Sequence, residues 1–246
     1  MRSLGLALAA TLRGAEFVDP TGPRTVVLLH GLGRSAWAMS RLAQALRADG
    51  YRVINLSYPS RTLPVERLAA DWLPAQLRAA GLGPDAPVDF VTHSMGGILL
   101  RLYRRDHPTG HPGRTVMLAP PNAGSEVVDH LNGFGPFRWF TGANGARLGT
   151  DANSLPRTLG PWPAGAGELG IIAGDRSLNP VFSAWLPGPN DGKVSVTRAR
   201  LAGMTDFVVV HRTHTWMAWS PDVLAHVQGF LRTGKFAGAT ATAAAK

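Results

Sequence analysis

The chain has 246 residues, 45% hydrophobic and 17% charged, a balance that excludes intrinsic disorder and supplies enough length for one sizeable core. Zero Cys excludes disulfide scaffolds, cysteine nucleophiles, iron–sulfur clusters and Cys-based zinc sites. The net charge of +9 rests on Arg dispersed along the chain, with only Arg101, Arg104 and Arg105 tightly grouped, and not on the one-face clustering of nucleic-acid binders.

Arg2 precedes the apolar stretch Leu4 to Leu12, but the basic region is one residue and no convincing cleavage site follows. The stretch reads as a short amphipathic leader helix and the chain as cytoplasmic, with secretion, for which this weak apolar N-terminus would be the signal, as the alternative. No apolar run approaches the roughly 20 residues that span a bilayer, so a soluble chain is expected.

Thr25 to Leu29 (TVVLL) is the first continuous apolar run, the mark of a buried parallel strand, and it ends at His30-Gly31-Leu32-Gly33. Ser35 can cap a helix to about Ala48, with Gly50 as its stop. Tyr51 to Leu56 is a second strand, followed by a helix from about Val65 to Ala80 in which Pro74 forces a kink or break. Val88 to Thr92 is a third strand, running into His93-Ser94-Met95-Gly96-Gly97, with a helix over Ile98 to Arg105 behind it.

Strands follow at Thr115 to Ala119, stopped by Pro120-Pro121, at Leu169 to Ala173 and at Asp206 to His211. Pro221 opens a last helix through Leu231, and the Ala/Thr-rich tail from Phe236 is expected to fray. Strands alternating with helices imply an α/β fold, a mostly parallel central sheet with helices on both faces. Asn122 to Glu168 breaks the rhythm. It shows no strand signal and carries Phe134, Phe137, Trp139, Phe140 and Trp162, so it reads as an insertion packed over one end of the sheet, within a single domain of 246 residues.

Thr92-His93-Ser94-Met95-Gly96-Gly97 holds the strongest chemical signal. A serine on a sharp strand-to-helix turn projects its hydroxyl beyond the sheet and needs small neighbours two positions away. Gly96 meets that need; Thr92 stands where the G-x-S-x-G pattern has its first Gly. The His30 to Gly33 loop ends a strand at the same sheet end, and the Leu32 and Met95 N–H groups are candidates to hold an oxyanion. A serine needs a base, and the base a carboxylate. Of eight His residues, His30 and His93 read as packing groups beside the loops, and His107, His111, His130 and His226 fall in turns or helices. His211 ends the last strand and His214 follows three residues later. Asp175, just past a strand, and Asp191, 23 residues before His214, both fit as the acid by chain order.

These motifs resemble the α/β-hydrolase superfamily, and within it serine esterases and small bacterial triacylglycerol lipases. The resemblance runs from about Thr25 to Leu231, on HGLG at 30–33, THSMGG at 92–97, APPNAGS at 119–125, NDGKVSV at 190–196 and His214. Thr92 is its chief departure. It implies Ser94 as nucleophile, His214 as base, Asp191 as acid and a Leu32/Met95 oxyanion hole, with Asp175 as the alternative acid. The expectation is a cofactor-free, metal-free serine hydrolase of acyl esters, with a partial cap over residues 122–168 and Phe137 and Trp139 in the substrate pocket. An acyltransferase or thioesterase with the same triad, and an inactive hydrolase fold used for binding, are the alternatives. No H-E-x-x-H, no strand-linked G-x-G-x-x-G and no P-loop occurs, so metal, dinucleotide and phosphate-cradling chemistry lack support.

Overall fold

The structure, a computed structural model, describes residues 24–236. The leader stretch Leu4 to Leu12 and the tail beyond Phe236 lie outside the described residues. Six strands, β1 (Thr25–Leu29), β2 (Arg52–Leu56), β3 (Val88–His93), β4 (Thr115–Leu118), β5 (Leu169–Gly174) and β6 (Asp206–Val210), form one sheet in the order β2-β1-β3-β4-β5-β6. All five pairings are parallel. Strands β1, β3, β4 and β5 are buried along their whole length, which explains why they read as unbroken apolar runs, while the edge strands β2 and β6 are half-exposed.

Alternate β1 residues feed two cores. Val26 and Leu28 pack with Met39, Leu42, Val223 and Phe230 on one face. Val27 and Leu29 pack with Leu68, Leu73, Ile98 and Leu102 on the other. The first face is covered by α1 (Ser40–Ala48) and the final helix α10 (Pro221–Thr233). The second is covered by α2 (Val65–Arg67), α3 (Leu73–Ala79) and α4 (Met95–Asp106).

Local details depart from expectation for identifiable reasons. Ser35 makes no side-chain cap, and the first helical turn, Ala36–Met39, is 3-10. Pro74 does not end its helix; the turn before it, Leu68–Trp72, widens to a π-helix, which accommodates a residue that lacks an N–H and crowds the preceding turn. Phe236 is no frayed terminus. It is 4% exposed, its ring lies tilted against that of Phe230 at 4.9 Å, and its N–H donates to Asp206 Oδ2 at 2.8 Å.

No strand lies between β4 and β5. That segment folds as α5 (Glu126–Leu131), α6 (Gly135–Gly145), a 3-10 turn (Ala146–Leu148) and α7 (Leu155–Thr158). Helix α6 breaks at Gly142 (φ 63°), where a Cβ would lie 2.0 Å from the Arg61 carbonyl oxygen. Two further short helices, α8 (Pro180–Trp185) and α9 (Val196–Ala199), flank the segment between β5 and β6 that carries Asp191. Among the described residues, no helix is long and apolar enough to cross a membrane.

Candidate active site

Strand β3 hands over to α4 at Ser94, whose φ of 53° and ψ of −124° lie in a region L residues seldom occupy. Such backbone costs on the order of 1–3 kcal/mol and persists only where its surroundings impose it. Here the Ser94 N–H donates to the Leu118 oxygen and its carbonyl accepts from Gly97 N–H, both at 2.9 Å. A Cβ on Gly96 would sit 2.5 Å from the Leu29 oxygen, so only glycine allows β1 and α4 this close. Thr92, two residues before Ser94, is fully buried in β3. Although Ser94 occupies the N-cap position of α4, its hydroxyl caps nothing. It lies 3.0 Å from His214 Nε2.

His214 opens a 3-10 helix (His214–Trp219) just after β6, instead of lying in an open loop. Its Nδ1 is 2.8 Å from Asp191 Oδ2. A carboxylate can only accept from the ring, so Nδ1 carries the hydrogen and Nε2 presents a lone pair to the Ser94 hydroxyl. The other oxygen of Asp191 accepts the N–H groups of Lys193 (2.9 Å) and Val194 (2.8 Å), and the His214 N–H donates to the Asp191 carbonyl at 3.1 Å. Asp191 is 3% exposed and His214 5%. The turn is held in shape by Asn190 Oδ1, which accepts Gly192 N–H at 3.1 Å, and by Gly192 itself at φ 89°.

Asp175 is engaged elsewhere. Its Oδ1 lies 2.9 Å from Nδ1 of His211, whose side chain is 75% exposed. The structure thus brings Ser94, His214 and Asp191 into one hydrogen-bonded row and leaves Asp175 outside it.

The His30–Gly33 loop is wedged against the elbow: a Cβ on Gly31 would lie 3.0 Å from His93 Nδ1 and 3.2 Å from Ser94 Cβ. His30 Nδ1 donates to the Gly31 oxygen (2.8 Å), and its Nε2 accepts the Tyr58 N–H (3.1 Å). The Tyr58 ring stacks on it at 4.1 Å and its hydroxyl donates to the His30 oxygen. Burial holds His30 below the usual histidine range, the neutral form those two bonds require. Gly33 N–H is taken by Ser60 Oγ at 3.0 Å. Among the described residues the Leu32 N–H has no backbone or side-chain acceptor, and Met95, as first residue of α4, has none within its helix. Met95 directly follows Ser94 in the chain, and Leu32 and Ser94 line the same cavity.

A cavity of about 290 Å³ opens over the row. Ser94, His93, His214, Gly31 and Leu32 form its floor, and Val127, Val128, Leu131, Phe137, Phe140 and Leu148 from the 122–168 segment wall it. Phe137 lines it. Trp139 does not: it is 77% exposed and its ring faces Arg61 at 5.4 Å, while Phe140 takes the place at the cavity. Helical spacing carries the signal that locates this, since i and i+3 share a face and i+2 points away. Among the described residues, no group of three or more His, Cys, Asp or Glu could hold a metal ion.

A parallel sheet with a serine on a strained strand-to-helix turn, a histidine after the last strand and an aspartate before it is the arrangement of an α/β hydrolase. The sequence matches a family model described as "Alpha/beta hydrolase family" over residues 26–238, and the chain belongs to that family. The curated relative named "Probable esterase PIR7A" from Oryza sativa subsp. indica is 33% identical over 93 residues, 35% of this chain and 35% of the relative. Among solved structures, mature Bacillus licheniformis lipase BlEst2 superposes with a TM-score of 0.60 at 21% identity, covering 82% of this chain and 89% of that one. Bacillus subtilis carboxylesterase CesB gives 0.56 at 14% identity (88% and 86%), and Legionella pneumophila phospholipase PlaB gives 0.63 at 16% (79% and 53%). Identities this low establish a shared fold. The curated match spans only about a third of each chain.

Proposed function

We propose that this protein is a serine hydrolase of carboxylic acyl esters, acting through Ser94, His214 and Asp191. The observation that carries the reading is the buried row Asp191 Oδ2–His214 Nδ1 (2.8 Å) and His214 Nε2–Ser94 Oγ (3.0 Å) at the floor of a cavity. His214 takes the Ser94 proton as Oγ attacks the ester carbonyl, then delivers it to the leaving alcohol. Asp191 holds the required tautomer and stabilises the imidazolium. The Leu32 and Met95 amides receive the developing oxyanion, Met95 with the added field of the α4 N-terminus. Water, deprotonated by His214, then releases the acid from the acyl-enzyme.

The 122–168 segment acts as a partial cap on a single hydrolase domain, its apolar wall receiving the acyl chain. The esterase and lipase names among the relatives support an ester substrate. The reading is tested by hydrolysis of acetyl, butanoyl and octanoyl 4-nitrophenyl esters. Turnover that falls by about 10³-fold or more in Ser94→Ala supports it, and absence of turnover across the panel contradicts it.

A further inference from the structure

Two cations stand at the cavity beside Ser94 with no anion to meet them. Arg34 and Lys193 both line it, and its 19 lining residues include no Asp or Glu. Among the described residues, neither the Arg34 guanidinium nor the Lys193 ammonium has a hydrogen-bond or ion-pair partner. Some other arginines do meet carboxylates: Arg24 pairs with Asp89, Arg114 with Glu168, Arg198 with Glu126 and Arg212 with Asp222.

Both backbones are fixed relative to the Ser94–His214 axis. Arg34 follows Gly33 in the tight turn of the loop that carries Leu32, its N–H donating to the Gly31 oxygen at 3.2 Å. Lys193 hangs from the turn that carries Asp191. Its N–H donates to Asp191 Oδ1 at 2.9 Å and its carbonyl accepts from Ser125 Oγ at 2.6 Å. The two cations therefore belong to the loops that also carry Leu32 and Asp191, and both line the cavity at Ser94. The Asp191 oxygens meet two amides and His214 and form no ion pair with the Lys193 ammonium, although the Asp191 charge favours its protonated form. Arg34 and Lys193 are both exposed to solvent; partial desolvation by the surrounding protein and the field of Arg34, against the opposing field of Asp191, hold the Lys193 ammonium below the usual lysine range. Like charges held together beside a cavity repel, unless the ligand supplies the counter-charge.

We infer that Arg34 and Lys193 form an anion subsite, and that the substrate is an acyl ester bearing a carboxylate or phosphate next to the scissile bond, with its apolar chain against Val127, Leu131, Phe137 and Phe140. This rests on the ester-hydrolase reading and narrows it to anionic esters. A guanidinium and an ammonium, one forked and one compact, suit a planar carboxylate or a tetrahedral phosphate equally.

The experiment compares matched butanoyl esters of 4-hydroxybenzoate, 4-hydroxyphenyl phosphate and neutral 4-hydroxybenzamide, on the full chain and on Arg34→Gln, Lys193→Gln and the double variant. The expected ratio of anionic to neutral kcat/KM is about tenfold or more in the native protein and near one in the double variant. Raising salt from about 50 to 500 mM will shrink the native ratio. The carboxylate and phosphate arms show which anion is preferred. A native ratio near one, or a preference that survives the double substitution, overturns the subsite while leaving the hydrolase reading intact. If no ester is turned over, the hydrolase reading fails, and binding of octanoate against octanamide still decides the subsite: a tenfold preference lost in the double variant supports it, equal binding overturns it.

Discussion

His93 donates its Nε2–H to the main-chain oxygen of His214 at 3.0 Å, so the residue before the serine grips the residue that faces it. The carbonyl can only accept, which fixes the His93 hydrogen on Nε2. Burial keeps His93 well below the usual histidine range, and the nearby His214, Lys193 and Arg34 oppose its protonation further. One neutral imidazole thus ties the elbow to the 3-10 helix that presents His214.

Replacing His93 with Leu keeps the volume and removes the tie. The expected result is a kcat lowered about 10- to 100-fold with KM within about threefold, because alignment of the base is lost and the cavity is not. Steady-state kinetics on a butanoyl ester checks it, and an unchanged kcat assigns His93 to packing alone.

The two carboxylates that chain order left open are separable. Asp191→Asn is expected to lower kcat by roughly 10⁴-fold, since an amide favours the wrong tautomer of His214. Asp175→Asn, which touches only the exposed His211, is expected to cost less than about tenfold. A reversed order would move the acid to Asp175.

The elbow also predicts a contrast between glycines. Gly96→Ala forces a methyl onto the Leu29 and His30 oxygens and is expected to lower stability by about 3 kcal/mol, read by chemical denaturation. Gly83, with nothing within 4 Å of its Cβ position, is expected to tolerate Ala within about 0.5 kcal/mol. Equal melting behaviour of the two variants would contradict the packing described.

Stability will depend on pH through His30 and His93. Both are held below the value of an unfolded histidine, so above about pH 6.5 neither state carries their protons and stability is full. As pH falls below that value the unfolded chain takes up protons first, and stability drops by up to about 1.4 kcal/mol per pH unit for each group. Asp89, raised by burial despite Arg24 and the Arg114 N–H, acts with opposite sign nearer the carboxylate range. Denaturant titrations from about pH 7.5 to 5.5 are expected to show the decline, shallower in His93→Leu. A flat profile would contradict it.

The sheet was legible because four of its strands are buried on both faces and so appear as apolar runs such as TVVLL. The elbow was legible because Ser94 and Gly96 are local in sequence. The pairing of Asp191 with His214 was legible only through the resemblance, since chain order fitted Asp175 as well, and the turn made by Asn190 and Gly192 is what aims Asp191 at the ring. The aromatic content of the 122–168 segment did not separate Trp139 from Phe140: helical phase turns Trp139 outward and brings Phe140 to the cavity. Arg34 and Lys193 carried no signal at all. They lie far apart in the chain and meet only because their loops share one end of the sheet.

The most direct test of the account is the site of covalent labelling by a fluorophosphonate probe, mapped by peptide mass spectrometry. One adduct is expected on the peptide containing Ser94, none in Ser94→Ala, and slowed labelling in His214→Ala. Full labelling of folded Ser94→Ala, or an adduct on another serine, would contradict it.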